Sequence, residues 1–139
     1  MSKDDDELRL GLTFRSFVPL EIEHRGDGIL EMSVAFDETH LNRAGMVHGG
    51  FISAALDVAI AGGAVAVASQ SREFFGITLS MNINFLQPLG PGRALCKSQV
   101  IGGGTKSKIV QATLETCSDD GVNQCHASAT GTVKVIRLE

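Results

Sequence analysis

The residues best suited to chemistry crowd into one stretch of the chain: Asn42, Gly45, His48, Gly49 and Gly50, followed at a short interval by Asp57. Two adjacent glycines at a helix start let a bound group approach the backbone with no Cβ atoms in the way. The first turn of a helix offers unpaired N–H groups and the positive end of the helix dipole. Together these suit an oxygen that carries or develops negative charge. On spacing alone, tight packing of helix against sheet explains the glycines equally well.

Asp57 is flanked by Leu56, Val58, Ala59 and Ile60. A carboxylate in such surroundings is costly to bury unless it is paired or used. A hydrogen-bonded core aspartate is the commoner explanation; acid–base work is the sharper one. Geometry adds a constraint. Gly49 and Asp57 stand about 12 Å apart along a helix rising 1.5 Å per residue. Carbonyl-polarising donors and an attacking group must both lie within about 3 Å of one reacting carbonyl. Asp57 therefore cannot easily serve the N-terminus of its own helix. If both act on one substrate, two chains must lie side by side as a symmetric dimer with two equivalent sites.

The elements that must position these residues are legible in the patterning. A helix over 49–70, dominated by Ala, the best helix former, is predicted. Strands are predicted over 18–23 and 29–36, separated by the turn residues Arg25 to Gly28. After the helix, Ile77, Leu79, Met81, Ile83 and Phe85 alternate with Thr78, Ser80, Asn82 and Asn84, which reads as a strand with one apolar face. Strands over 93–101, 108–117 and 124–136 follow, joined by hairpin-type turns. Residues 37–50 read as a loop that delivers the chain to the helix, 7–17 mix two spacings without choosing, and 1–6 form a frayed acidic lead. One helix followed by four meandering antiparallel strands implies an α+β layer arrangement around a single core, with the whole of 1–139 as one domain.

At 139 residues with 43% hydrophobic and 20% charged residues, the composition is that of a soluble globular domain. A net charge of −4, with no Trp or Tyr, argues against nucleic acid as a partner. Cys96, Cys117 and Cys125 lack CxxC spacing and read as reduced thiols of a cytoplasmic protein, and the acidic N-terminus does not resemble an export signal. The apolar run 51–68 reads as a helix surrounded by protein, not a membrane span, because it carries Asp57 and the Gly62–Gly63 pair. His24, His40, His48 and His126 have no metal-ligand spacing, so no metal site is expected. No G-x-S-x-G elbow or Walker loop is present.

The pattern of Asn42, Gly45, His48, Gly49, Gly50 and Asp57 resembles the signature of the phenylacetate-degradation (PaaI-like) thioesterases of the hot-dog superfamily. In site layout these are similar to the Arthrobacter-type 4-hydroxybenzoyl-CoA thioesterases. The resemblance runs from about Glu21 through the last strand. It implies an α+β hot-dog fold, in which a curved antiparallel sheet wraps around one long central helix. It also implies hydrolysis of an acyl- or aryl-CoA thioester to free acid and coenzyme A, with no cofactor beyond the coenzyme A of the substrate. The roles it implies are a Gly49 N–H that polarises the thioester carbonyl, an Asn42 that positions water or carbonyl, and a partner-chain Asp57 acting as general base or nucleophile. Thr78 would hold the water, and His48 shapes the turn more often than it moves protons. A homodimer with shared sites, often doubled into a tetramer, is implied as well.

Gly50 belongs to the same carbonyl-binding turn, and Arg93, Lys106 and Lys108 are candidates for the coenzyme A phosphates. For any single one of those cations a solvated surface position is the simpler account. Phe51, Ala54, Phe74, Phe75 and Ile77 are the residues expected to set acyl selectivity. A non-catalytic acyl-CoA binder and a hot-dog hydratase are the competing classes. The first needs no carboxylate, and the second needs a His/Asp or His/Glu arrangement that the sequence does not show.

Overall fold

The computed structural model describes residues 14–68 and 74–137. The expected acidic lead, most of 7–17 and the expected last two residues of the helix, 69 and 70, lie outside them. A short 3-10 turn, Phe14–Ser16, leads into strands β1 (Leu20–Gly26) and β2 (Ile29–Phe36). A second 3-10 turn, Glu38–His40, precedes helix α1 (Gly49–Ala68). Strands β3 (Phe74–Phe85), β4 (Gly92–Gly103), β5 (Ser107–Cys117) and β6 (Asn123–Arg137) complete the chain.

All six strands form one antiparallel sheet in the order β1-β2-β4-β5-β6-β3. This corrects the expected four-strand meander. Only β4, β5 and β6 meander; β3 pairs with β6, so β2 and β4 become neighbours and β1 and β3 are the two edges. The crossover follows from α1, which fills the concave side of the sheet and separates β3 from the strands before it.

Helix α1 packs on every strand. Ile52, Ala55, Leu56, Ala59, Ile60 and Ala64 are buried against Met32, Val34, Cys96, Val110, Leu114 and Val133. Each large side chain in that interface contributes about 1.5–3 kcal/mol. Close approach depends on small residues: a Cβ at Gly76 would sit 2.7 Å from the Ala61 carbonyl oxygen, so α1 rests directly on the β3 backbone. Opposite, the buried Ser98 hydroxyl donates to the Ala59 carbonyl at 2.6 Å. Gly49–Ala66 is long and apolar enough to cross a membrane, yet here it is the helix on which the sheet closes.

Four register shifts interrupt the ladders among the described residues, and the two on the edge strands change the alternation beside the helix. In β3, Thr78 pairs with Val133 and Ser80 with Thr132, leaving Leu79 as an extra residue. The clean period expected over 77–85 is therefore broken. Before the bulge Gly76 and Thr78 face the helix while Phe75 and Ile77 are exposed; beyond it Met81 and Ile83 pack inward and Ser80, Asn82 and Asn84 point out. Alternation predicts one face for a whole strand, and a single unpaired residue exchanges the faces midway. In β1 a second bulge falls at Glu23, between the pairs Ile22–Met32 and His24–Glu31.

Candidate active site

The segment between β2 and α1 is held by short-range bonds that the sequence reading left as a plain loop. Asp37 caps the turn Glu38–His40, accepting from the Thr39 N–H at 2.8 Å and from its hydroxyl at 2.5 Å. The Thr39 hydroxyl, then its N–H, holds the Asp37 carboxyl below the usual carboxylate range. His40 is only 2% exposed. Its Nδ1 accepts from the Asp37 N–H at 2.9 Å and its Nε2–H donates to the Phe17 carbonyl at 2.6 Å, which defines a neutral ring with the proton on Nε2. The Asp37 carboxylate 3.2 Å from Nδ1 is then a neighbour, not an ion-pair partner. The edges of Phe36 and Phe51 close around the ring. His40 is thus a structural residue that the sequence reading weighed only as a metal ligand. The Asp37-x-x-His40 spacing, that of a capping box, was the signal available.

From His40 the chain makes a closed loop. The Asn42 Oδ1 accepts from the Ala44 N–H at 2.9 Å and the Met46 N–H at 3.2 Å, while Gly45 adopts φ +78°. A bridge from Leu41 to Val47, and a bond from the Val47 N–H to the Leu89 carbonyl, fix both feet of the loop. At the helix entrance the exposed His48 turns its Nδ1 back to accept the Gly50 N–H at 3.1 Å. The Gly49 N–H makes no hydrogen bond among the described residues. Of the two glycine donors expected to meet a substrate, only Gly49 is free, and the Phe85 ring stands beside it. His48, Gly50, Phe51, Ala54 and Phe17 line an apolar hollow of about 340 Å³ at this end.

Asp57 lies elsewhere. With the half-buried Val58, Ala61 and Gly62 and the buried Val65 of α1 it floors a cleft of about 590 Å³. Residues 74–78 of β3 make one wall, with Thr78 at the Asp57 end; Ile22, Arg25 and Leu30 make the other. The Asp57 Oδ1 is shielded from solvent and has no hydrogen-bond partner among the described residues. An unpaired buried carboxylate oxygen costs stability, and the bland account, a hydrogen-bonded core aspartate, supplies no partner for it. Phe74, Phe75 and Ile77 also border this cleft, whereas Phe51 and Ala54 border the hollow at the helix start.

The candidate phosphate ligands are scattered. Arg93 sits on the outer face of the sheet, ion-paired with Glu23 at 3.1 Å and donating to the Ser33 hydroxyl at 3.1 Å. Lys106 is exposed at the β4–β5 hairpin, where its carbonyl accepts the Val135 N–H. Lys108 pairs with Val133, which pairs with Thr78, so Lys108 occupies the same rung as Thr78, about 10 Å away across two strand spacings. Elsewhere His126 ties β6 to the loop after β3, Nδ1–H donating to the Pro88 carbonyl and Nε2 accepting from Thr116. Among the described residues no group of three or more His, Cys, Asp or Glu is placed to hold a metal.

Residues 44–121 match the family model described as the thioesterase superfamily. A Saccharolobus solfataricus protein provisionally named an esterase is 30% identical over 122 residues, spanning 88% of this chain and 77% of that protein. The chain belongs to the thioesterase superfamily and has its hot-dog fold. Among solved structures, a thioesterase family protein from Silicibacter pomeroyi superposes with a TM-score of 0.81 at 22% identity, covering 96% of this chain and 95% of that one. A Ralstonia eutropha protein provisionally described as a phenylacetic acid degradation-related thioesterase gives 0.73 at 26% identity, covering 86% and 87%. A Streptococcus mutans protein solved with acetyl CoA gives 0.71 at 22% identity, covering 86% and 90%. Thioester hydrolysis is the general chemistry to which the family assigns the chain.

Proposed function

We propose that this protein is a PaaI-like acyl-CoA thioesterase that works as a homodimer, each site joining the Gly49 N–H of one chain to the Asp57 of the other. The observation that carries the reading is a separation. The free Gly49 N–H and the unpartnered Asp57 carboxylate lie on one helix about 12 Å apart; Asp57 lines the cleft beside β3, while His48 and Gly50 on either side of Gly49 line the hollow at the helix start. Neither half suffices for a hydrolase, and a two-fold arrangement supplies both.

The sheet edge supports such a pairing. Strand β3 is twelve residues long, one side of it is unpaired, and it exposes Phe75, Ile77 and Leu79. Long apolar edges invite pairing with another strand. In the proposed reaction the Gly49 N–H stabilises the developing oxyanion while the partner's Asp57 activates water or attacks the carbonyl carbon itself. Thr78 holds the water. With Asp57 as base, water's oxygen bonds the carbonyl carbon, Asp57 takes its proton and returns it to sulfur as the C–S bond breaks, and coenzyme A leaves as the thiol. With Asp57 as nucleophile, the acyl anhydride formed when the C–S bond breaks is then cleaved by water to free acid, and the thiolate takes the released proton. Coenzyme A enters only as part of the substrate, and no other cofactor is used; the Streptococcus mutans protein solved with acetyl CoA supports a coenzyme A ligand for this fold. The free thiols Cys96, Cys117 and Cys125 fit a cytoplasmic setting.

Subunit complementation tests the reading. Gly49→Pro removes the N–H at a helix position that tolerates proline, and Asp57→Ala removes the carboxylate. Each variant alone should keep no more than about one per cent of wild-type turnover on acyl-CoA thioesters. After co-refolding, mixed dimers should regain about a quarter of wild-type turnover, because half the dimers are mixed and each holds one intact site. No regain, with mixed dimers demonstrated, overturns the shared site.

A further inference from the structure

The cleft beside Asp57 has a second polar group that the proposed reaction does not use. Arg25 borders it from β1, on the wall opposite β3. Simple alternation from the inward-facing Ile22 would bring His24, not Arg25, to the helix side. The bulge at Glu23 reverses this, so that Arg25 pairs with Leu30 and shares its inward face. The bulge at Leu79 likewise separates the outward Ser80 from the inward Thr78. Bulges re-aim side chains at sites, and here two of them, one on each edge strand, turn polar residues to the same cleft.

The position of Arg25 along the cleft is defined by its rung. Leu30 lies against Gly62, five residues beyond Asp57 on α1, or about 7–8 Å further along the axis. Between the two ends the floor and walls are apolar: Val58, Ala61, Val65 and Phe74. Arg25 also differs from the cations of the outer sheet face. Arg93 is held by Glu21 and Glu23, and Lys97 by Glu115, whereas Arg25 has no carboxylate partner among the described residues.

We propose that Arg25 is a specificity-determining residue that pairs with a carboxylate at the distal end of the acyl group, so the preferred substrates are thioesters of dicarboxylic or carboxyl-substituted acids. The inference rests on the hydrolase reading above, with the scissile carbonyl at Asp57. An acyl group lying along the apolar floor brings its far end to the exposed guanidinium at the rim of the cleft, where a two-pronged, charge-assisted pair forms. A coenzyme A phosphate suits the position less well, because the pantetheine arm is longer than the span from Asp57 to Arg25.

The experiment compares hexanoyl-CoA with adipyl-CoA, and the same two acyl groups on N-acetylcysteamine, which has no phosphate. Wild type should prefer adipyl on both carriers. Arg25→Gln should lower kcat/KM for adipyl thioesters about tenfold to a hundredfold, the scale of a charged hydrogen bond, and leave hexanoyl thioesters within about twofold. Arg25→Lys should recover part of the loss. If Arg25→Gln weakens both acyl groups on coenzyme A and neither on N-acetylcysteamine, the partner is a phosphate and the proposal fails. Equal rates for the two acyl groups in wild type and variant also overturn it. A wild type inactive on every thioester instead defeats the hydrolase reading. Calorimetry with the non-hydrolysable thioether analogues of the same acyl groups would then still decide the role of Arg25, tighter adipyl binding lost in Arg25→Gln being the supporting result.

Discussion

The first turn of α1 and the turn around Asp57 belong to one helix, yet they meet opposite physical demands. The first turn is all polar bookkeeping. The His48 ring takes the Gly50 N–H, the Ser53 hydroxyl donates back to the Gly49 carbonyl, and among the described residues only the Gly49 N–H of this turn stays open. Around Asp57 the adjoining residues Ala54 to Leu56 and Val58 to Ala61 are all apolar, and one carboxylate oxygen is left buried without a partner among the described residues. A helix terminus can present an unsatisfied donor at almost no cost, because that N–H has no partner within the helix in any case. A mid-helix carboxylate cannot be presented so cheaply. The difference teaches that the Asp57 carboxylate is the feature costly to place and the Gly49 N–H the one easily supplied.

Several substitutions sharpen or break that contrast. Asp57→Ala should lower turnover about a thousandfold, as loss of an acid–base group does, while chemical denaturation shows equal or greater stability because the buried, unpartnered oxygen is gone. A clear loss of stability would show that the carboxylate has a structural partner after all. Gly49→Pro should cost about a hundredfold in kcat, the scale of one lost oxyanion donor, with circular dichroism unchanged. Thr78→Val should reduce kcat about tenfold if its hydroxyl orients water, with Thr78→Ser close to wild type.

Asn42 can be divided by the same logic. Asn42→Asp keeps the Oδ1 that holds the Ala44 and Met46 N–H groups but loses the amide donor, whereas Asn42→Ala loses both. Equal activity for wild type and Asn42→Asp would assign Asn42 to loop structure alone. The smallest effect concerns pH. Because the folded-state Asp37 carboxyl is held low by Thr39, its contribution is complete above the ordinary carboxylate range and fades as pH falls through and below it. A melting-temperature profile should show Asp37→Asn losing part of that acid slope. By contrast Cys96, pushed up to about 12 by burial, should resist thiol reagents in the folded protein at pH 8, where the exposed Cys117 is within their reach.

Much of the fold was readable because its signals are local. Alanine density announced α1, glycine-rich turns separated β4, β5 and β6, and the spacing of Asn42, Gly49 and Asp57 pointed to a divided site. The capping of the Thr39 N–H by Asp37 and the placement of His40 were written in a short motif that was passed over. The order of the strands was not readable. Pairing β3 with β6 is a contact between distant segments, and nothing within β3 names its neighbour.

By itself, then, the sequence determined that one apolar helix carries a lone carboxylate and begins on glycine, because helix geometry converts residue spacing directly into distance. Only the tertiary structure decided which face each strand residue shows. A bulge depends on pairing with a second strand, and the unpaired residues Glu23 and Leu79 exchange the faces of β1 and β3. That exchange brings Thr78 and Arg25 to the same cleft as Asp57, an assembly that no periodicity within either strand could reveal.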